Sequence, residues 1–191
     1  MRVEEYKALL QSRLDKKRYY HSLCVADEAR RLACKYGADP DKMYLAGLLH
    51  DITKNGTAEE QLQIFKECGI ILTDVEKMSP AVWHAYTGAL FVENKLKIDD
   101  SEIISAIKFH STGKADMTLS QKIVYIADLT SQDRDYPDVE VTRQLLEESL
   151  DKAILYVLKF TLKNLSDKNL VIHPDTLDAY NYLIINSKEV D

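Results

Sequence analysis

An all-α fold, a single helical bundle, is what this sequence predicts, and three observations predict it. Apolar residues recur at spacings of three and four along nearly the whole chain, the period of a helix with one buried face. Alternating runs of strand length are few. Helix start and stop signals recur between the apolar stretches: capping side chains, a proline in a first turn, a glycine just past a last turn. The 191 residues suffice for one domain with its own core and leave too little for two of ordinary size, so 1–191 is read as one domain. Apolar residues at 46% and charged residues at 29% exclude a disordered, collagen-like or coiled-coil chain.

Taken in order, the periodicity predicts a first helix over 4–14 and a second over 19–36, stopped at Gly37, where a left-handed cap is easily adopted. Asp39 before Pro40 pairs a capping side chain with a residue that needs no amide hydrogen, and opens a helix ending near Ile52. After the Asn55-Gly56 turn, Thr57 starts a helix toward Cys68, closed by Gly69, and another follows over 80–95. Asp99 with Glu102 and Thr118 with Gln121 have the spacing of capping boxes, for helices ending near His110 and Leu129. The charged stretch 131–139, with Pro137, reads as a loop; the last two helices cover 143–164 and 174–185. Their apolar residues Tyr156, Phe160, Tyr180, Tyr182 and Ile185 are expected to close the core, the alternative use being a homodimer interface.

Charge and hydropathy exclude several function classes. A net charge of −6 gives no footprint for long nucleic acids, whose affinity rests on many Lys and Arg contacts to phosphate. A small anionic substrate is still allowed, because metals and a few local cations outweigh the global charge at one site. No stretch approaches the roughly 18 to 20 apolar residues that span a bilayer, and the opening MRVEEYKALLQSRLDKKRYY has no signal-peptide core, so a cytoplasmic protein without membrane contact is expected. Cys24, Cys34 and Cys68 lack CxxC spacing and are expected to be reduced and mostly buried.

Metal-capable side chains stand where the helical pattern asks for apolar ones. His21 shares a face with Val25, Ala29 and Leu32; His110 extends the stripe of Ile103, Ala106 and Ile107; His84 lies just ahead of the small residues Ala85, Gly88 and Ala89. Asp128 interrupts the apolar run IVYIADL, where an ionised carboxylate costs several kcal/mol unless it is paired or bound to a cation. His50-Asp51 closes the apolar segment LAGLL and leads into a polar turn with Lys54. A lone histidine on an apolar face is more often a hydrogen-bonded core residue than a ligand. Here that explanation needs several independent coincidences in a chain with five histidines. His173, before Pro174 and without an inward stripe, is read as structural. Imidazoles and carboxylates suit Fe, Mn, Co or Zn, and six of them are too many for one closed structural zinc. Two metals sharing a carboxylate would use them all and leave positions open for water and substrate.

The segments RYYHSLCVADEARRLA, LAGLLHDITK, HAYTGALFVE, IKFHSTGK and IVYIADLTSQDR, in that order and spacing, resemble the HD-domain superfamily of metal phosphohydrolases. Within it they look like the YqeK-type family, the symmetrical diadenosine tetraphosphate hydrolases. The resemblance covers about residues 15–145 and extends more weakly to the final helices at 143–187. It implies that His21, His50, Asp51 and Asp128 hold a first metal and that His84 and His110 hold a second, with Asp51 bridging. It further implies iron as the metal of first choice, with manganese and cobalt as alternatives, and a small dinucleoside polyphosphate substrate cleaved to ADP-like products. A water held between two cations is a nucleophile near neutral pH, and no Ser-His-Asp arrangement is needed.

On the same resemblance Asp51, Lys54, His84 and His110 form the catalytic group, with Lys54 placed to neutralise phosphate. Arg18, one helical turn before His21, and Arg134, after Asp128, are candidate phosphate clamps. Ser111, Thr112 and Gly113 form a hydroxyl and amide turn for phosphate oxygens. The chain departs from the family pattern at Ser111, where threonine is more usual. It departs again at Ser131-Gln132 and Asp138, where a glutamate-proline pair and a glycine are expected. That loop is expected to shape the nucleotide pocket. Two rival functions fit the same ligands: an HD-domain nucleotidase or phosphodiesterase acting on another nucleotide, and a non-catalytic metal- and nucleotide-binding regulator.

Overall fold

A computed structural model describes residues 3–186, and among them every regular element is helical. The helices are α1 (Val3–Arg13), α2 (Lys16–Tyr36), α3 (Pro40–Leu49), α4 (Ala58–Glu67), α5 (Asp74–Lys77), α6 (Trp83–Asn94), α7 (Ser101–Phe109), α8 (Leu119–Thr130), α9 (Val139–Glu148), α10 (Leu150–Asp167) and α11 (Pro174–Asn186). Helix α2 packs along α3 and α8, while α7 sits against α3, α6 and α8. Helices α9 to α11 close the bundle, with α10 joining α8 to α11.

The start signals did their expected work in several places. Asp39 accepts from the amides of Asp41 and Lys42 ahead of Pro40, and Thr118 and Gln121 exchange both bonds of a capping box. Gly37 takes φ +81°, the left-handed conformation that ends α2. Elsewhere the boundaries are corrected. Helix α2 opens at Lys16, three residues before the expected start, because Asp15 caps it by accepting from the Arg18 amide at 2.9 Å. Asp100, not Asp99, caps α7, accepting from Glu102 and Ile103. Helix α3 stops at Leu49 and the chain turns through 50–55. The helix expected over 80–95 begins with a 3-10 turn at Pro80–Val82. The helix expected over 143–164 is two, α9 and α10, broken where Ser149 is extended (φ −161°, ψ 134°) and caps the second. The short α5 was not anticipated, although Thr73 and Glu76 form the capping box that starts it.

The core lies where α2, α3, α7 and α8 meet, around the fully buried Leu32, Leu48, Leu49, Ile107, Ile123 and Ile126. Each such side chain contributes roughly 1.5–3 kcal/mol on burial. Gly47 makes the tightest contact: a Cβ there would lie 3.0 Å from the Ala26 Cα and from the Val25 carbonyl oxygen. The absent side chain lets α3 lie directly on α2, which sets the distance between His21 and His50. A smaller cluster of Phe65, Leu72 and Trp83 fastens α4 to α6.

Tyr180 packs on the core as expected, but Phe160 and Ile185 are exposed, so the core reading of those two is corrected. Cys24 is buried, whereas Cys34 and Cys68 are exposed, against the expectation that most would be buried. No helix among the described residues is long and apolar enough to cross a membrane.

Candidate metal centre

Four imidazoles and two carboxylates converge at one end of the bundle. Helix α2 supplies His21 from its second turn, the C-terminus of α3 supplies His50 and Asp51, the first turn of α6 supplies His84, the C-terminus of α7 supplies His110, and the last turn of α8 supplies Asp128. The rings form a continuous edge-to-face series, with centroids 5.3 Å apart for His21–His50, 4.8 Å for His50–His110 and 5.1 Å for His84–His110. Potential ligand atoms of His21, His50 and Asp51 lie within 4.8 Å of one another, as do those of His50, His110 and Asp128, and those of Asp51, His84 and His110.

The bundle orients these rings as well as gathering them. At the C-terminal end of a helix the last carbonyls lack the usual amide four residues on and are open to other donors. His50 and His110 fold back on them, Nδ1–H donating to Gly47 O and to Ile107 O at 2.7 Å each. That fixes the tautomer and turns a bare Nε2 inward. His50 Nε2 is wholly buried yet has no hydrogen-bond partner, an orphan that a metal ion would satisfy. The Nε2 atoms of His84 and His110 stand 3.2 Å apart, close to the about 3 Å separation of two nitrogens sharing one metal at bonds of about 2.1 Å. The donor set and its geometry therefore fit divalent metal.

Asp51 lies between the two groups of histidines. Its Oδ1 is 3.1 Å from His84 Nε2 and 3.7 Å from His110 Nε2, while its Oδ2 is 3.2 Å from His50 Nε2. Asp128 Oδ1 is 2.8 Å from His21 Nε2. Burial pushes both carboxyls up, but the facing histidines outweigh it, joined at Asp128 by Arg134, and hold each well below the usual carboxylate range. Burial disfavours the His50 imidazolium, yet Asp51 and Asp128 leave its pKa raised. At His84 burial wins, helped by the His110 and Lys54 charges, and the pKa falls to about 4, so that ring is neutral and free to donate its lone pair at neutral pH.

Cations rim the site. Arg18 donates to Asp51 Oδ2 at 2.8 Å, and Arg134 donates to the Asp128 carboxylate and, through Nε, to its main-chain oxygen at 2.6 Å. Lys54 Nζ sits 3.2 Å from both ring nitrogens of His84, its pKa lowered first by burial. Ser111 Oγ reaches the site, 3.1 Å from the Nε2 atoms of His84 and His110. Thr112 and Gly113 do not: the Thr112 hydroxyl donates to Gly113 O, the Gly113 amide donates to Phe109 O, and Gly113 packs toward Ala179 of α11. His173 is outside the cluster, accepting from the Asp175 amide at 3.2 Å, in accord with its structural reading.

One participant was not singled out from sequence. Asp133, in the loop after α8, accepts from His21 Nδ1–H at 2.8 Å. The contact joins residues 112 apart, and an acidic residue in a charged loop carries no periodic signal that could reveal it.

Residues 18–133 match the HD domain family. The chain is 34% identical to the symmetrical bis(5'-nucleosyl)-tetraphosphatase of Bacillus subtilis, over 98% of this chain and 100% of that protein. It is 35% identical to the protein of the same name from Staphylococcus aureus, over 95% and 94% respectively. Among solved structures, a predicted HD superfamily hydrolase involved in NAD metabolism from Clostridium acetobutylicum superposes with a TM-score of 0.96 at 35% identity, covering 98% of this chain and 99% of that one.

Proposed function

This chain belongs to the HD-domain family, and from that premise we propose that it hydrolyses diadenosine tetraphosphate symmetrically, giving two ADP, at a centre of two divalent metals held by His21, His50, Asp51, His84, His110 and Asp128. It is a metal-dependent phosphohydrolase. The observation that carries the dinuclear reading is the Asp51 carboxylate, which offers one oxygen to the His84–His110 pair and the other to His50. Iron is our choice of metal on the family resemblance, and the reading takes the chain as one cytoplasmic domain.

Bound metal supplies two things: a lowered pKa for an attacking water and charge neutralisation on the phosphoryl oxygens. The chain's own residues do the rest. The bond that breaks joins an inner phosphorus to the central bridging oxygen, and the departing half leaves as ADP with that oxygen. Lys54, from the turn after Asp51, supplies an ammonium at the His84 edge of the site, where the charge on a transferring phosphoryl group grows. Arg18 and Arg134 stand on opposite carboxylates and are placed to hold the phosphates on either side of the scissile bond, since a guanidinium offers a planar fork that matches phosphate. Ser111 Oγ lies between His84 and His110 and can donate to a phosphoryl oxygen seated there.

Metal analysis of anaerobically purified protein, combined with product identification from diadenosine tetraphosphate, tests this directly. ADP as sole product, with about two metals per chain, is expected on this reading. AMP with ATP would overturn symmetrical cleavage, and an untouched substrate would overturn the assignment.

A further inference from the structure

His21 differs from its neighbours in how its ring is held. His50 and His110 end helices and turn their Nδ1–H groups back onto the carbonyls of Gly47 and Ile107 in the last turn. His21 lies inside α2, where the carbonyls are spent on the helix itself, so its Nδ1–H needs an acceptor from elsewhere. Asp133 supplies it: Oδ2 accepts from His21 Nδ1–H at 2.8 Å, and Oδ1 is held by the Ser131 hydroxyl at 2.8 Å. Both partners are largely shielded, with 4% of the His21 side chain and 18% of the Asp133 side chain exposed. The loop is itself anchored, because Arg143 of α9 donates to the carbonyls of Thr130, Ser131 and Arg134 at 3.0, 2.7 and 3.1 Å.

We infer that Asp133 is a positioning residue for the metal centre, fixing the Nδ1–H tautomer and ring angle of His21 so that its Nε2 is presented beside Asp128. The inference rests on the reading of His21 as a ligand given above. A charged acceptor behind an imidazole also makes the ring a stronger donor, and loss of such a partner typically costs about 10–100-fold in metal affinity. Through Asp133 the loop of 131–138 thus acts on the metal centre.

Cobalt titration of the metal-free full chain, followed by visible absorption, tests the claim without relying on turnover. Asp133→Ala is expected to weaken cobalt binding by about 10–100-fold. Asp133→Asn, whose amide oxygen can accept the same hydrogen bond, is expected to recover most of that loss. In a His21→Ala background Asp133→Ala should add nothing further. Unchanged affinity in Asp133→Ala, beside a clear loss in His21→Ala, overturns the positioning role while leaving the ligand reading intact. An equal additional loss in the His21→Ala background also overturns it, since Asp133 would then act through another group. Unchanged affinity in His21→Ala overturns the ligand reading, and this inference with it. Wild-type protein loaded with zinc gives a check that needs no variant. Nitrogen NMR of the imidazoles should show the His21 proton on Nδ1, and a bare Nδ1 would overturn the proposal.

Discussion

Asp51 presents one carboxylate oxygen to His84 at 3.1 Å and the other to His50 at 3.2 Å, although α3 and α6 deliver the two rings from different sides. A single oxygen pair thereby serves both halves of the site. Asp51→Asn removes the charge while keeping the shape, and its amide nitrogen must face one of the two nitrogen groups. The expected outcome is a fall in kcat of roughly 10³-fold or more, since metal-assisted charge stabilisation is worth several kcal/mol, about 1.4 kcal/mol per tenfold. Circular dichroism should show the helical fold retained. Steady-state assay with diadenosine tetraphosphate measures the effect, and activity within tenfold of wild type contradicts the bridging role.

Lys54 touches no carboxylate in the site; its ammonium lies against the His84 ring, with a pKa lowered by burial. A buried cation without a tight anionic partner is poised for an anionic ligand. Lys54→Ala should cut kcat/KM by about 10²–10³-fold while metal content stays the same, because on the proposed reading the lost group is a cation that hydrogen-bonds phosphoryl oxygens and is not a metal ligand. Metal analysis alongside kinetics separates the two; loss of metal would reassign Lys54 to the centre itself.

Much of this was legible in the sequence, and the reason is physical. His21, Asp128 and His110 violate an apolar helical stripe, so the pattern that places the core also exposes the residues that do not belong in it. Boundaries were less legible. The periodicity of α9 and α10 runs on through Ser149, since both helices bury faces against the same core and a one-residue break leaves almost no trace in spacing. Asp15 was passed over as a cap because the charged first turn of α2 lies ahead of its apolar stripe. The turn Ser111-Thr112-Gly113 looked like one phosphate-binding unit, yet only its serine faces the histidine cluster, because the Gly113 amide is spent closing the end of α7. Asp133 lay beyond reach altogether, its role arising from a contact that only the folded chain creates.

Gly47 carries the packing on which the site depends. A methyl group there would stand 3.0 Å from backbone atoms of Val25 and Ala26, which cannot move aside as a flexible side chain could. Overpacking of this kind costs typically about 1–3 kcal/mol, and each 1 kcal/mol lowers the Tm of a chain this size by about 2–4 °C. Gly47→Ala should therefore lower Tm by several degrees and, by displacing the carbonyl that holds His50, weaken metal binding too. Calorimetry and metal titration on the same sample check both; a wild-type Tm would show that α2 and α3 can separate freely.

Asp138 departs from the glycine expected at its position, and its backbone shows why glycine is favoured: φ is +69°, in the left-handed region, and the side chain makes no capping hydrogen bond. An L-residue pays roughly 1 kcal/mol or more for that conformation, somewhat less for aspartate, without a compensating contact here. Asp138→Gly should relieve that strain and stabilise the protein by up to about 0.5 kcal/mol, the gain being reduced by the greater freedom that glycine has in the unfolded chain. Urea denaturation measures it, and a destabilised variant would mean that the Asp138 side chain has a role its contacts do not show.

His84 makes the chelator-treated protein sensitive to acid. Its pKa lies near 4 in the fold against about 6.5 in the unfolded chain, so between these values the unfolded chain binds a proton that the native state refuses. Stability attributable to His84 is thus complete above about pH 6.5 and is lost as pH falls toward 4, at up to about 1.4 kcal/mol per pH unit. His50 has the opposite sign: its pKa is raised in the fold, so its contribution is full below about 6.5 and fades as pH rises through the raised value. Asp51 and Asp128, held well below the usual range, remain ionised in the native state across this window and add no slope of their own above about pH 5. Unfolding free energies from urea titrations at intervals from pH 4.5 to 7.5 should therefore show an acid-side decline that His84→Asn flattens. A decline equally steep in that variant would assign the acid sensitivity to groups other than His84, and the burial of a neutral imidazole at this position would lose its energetic signature.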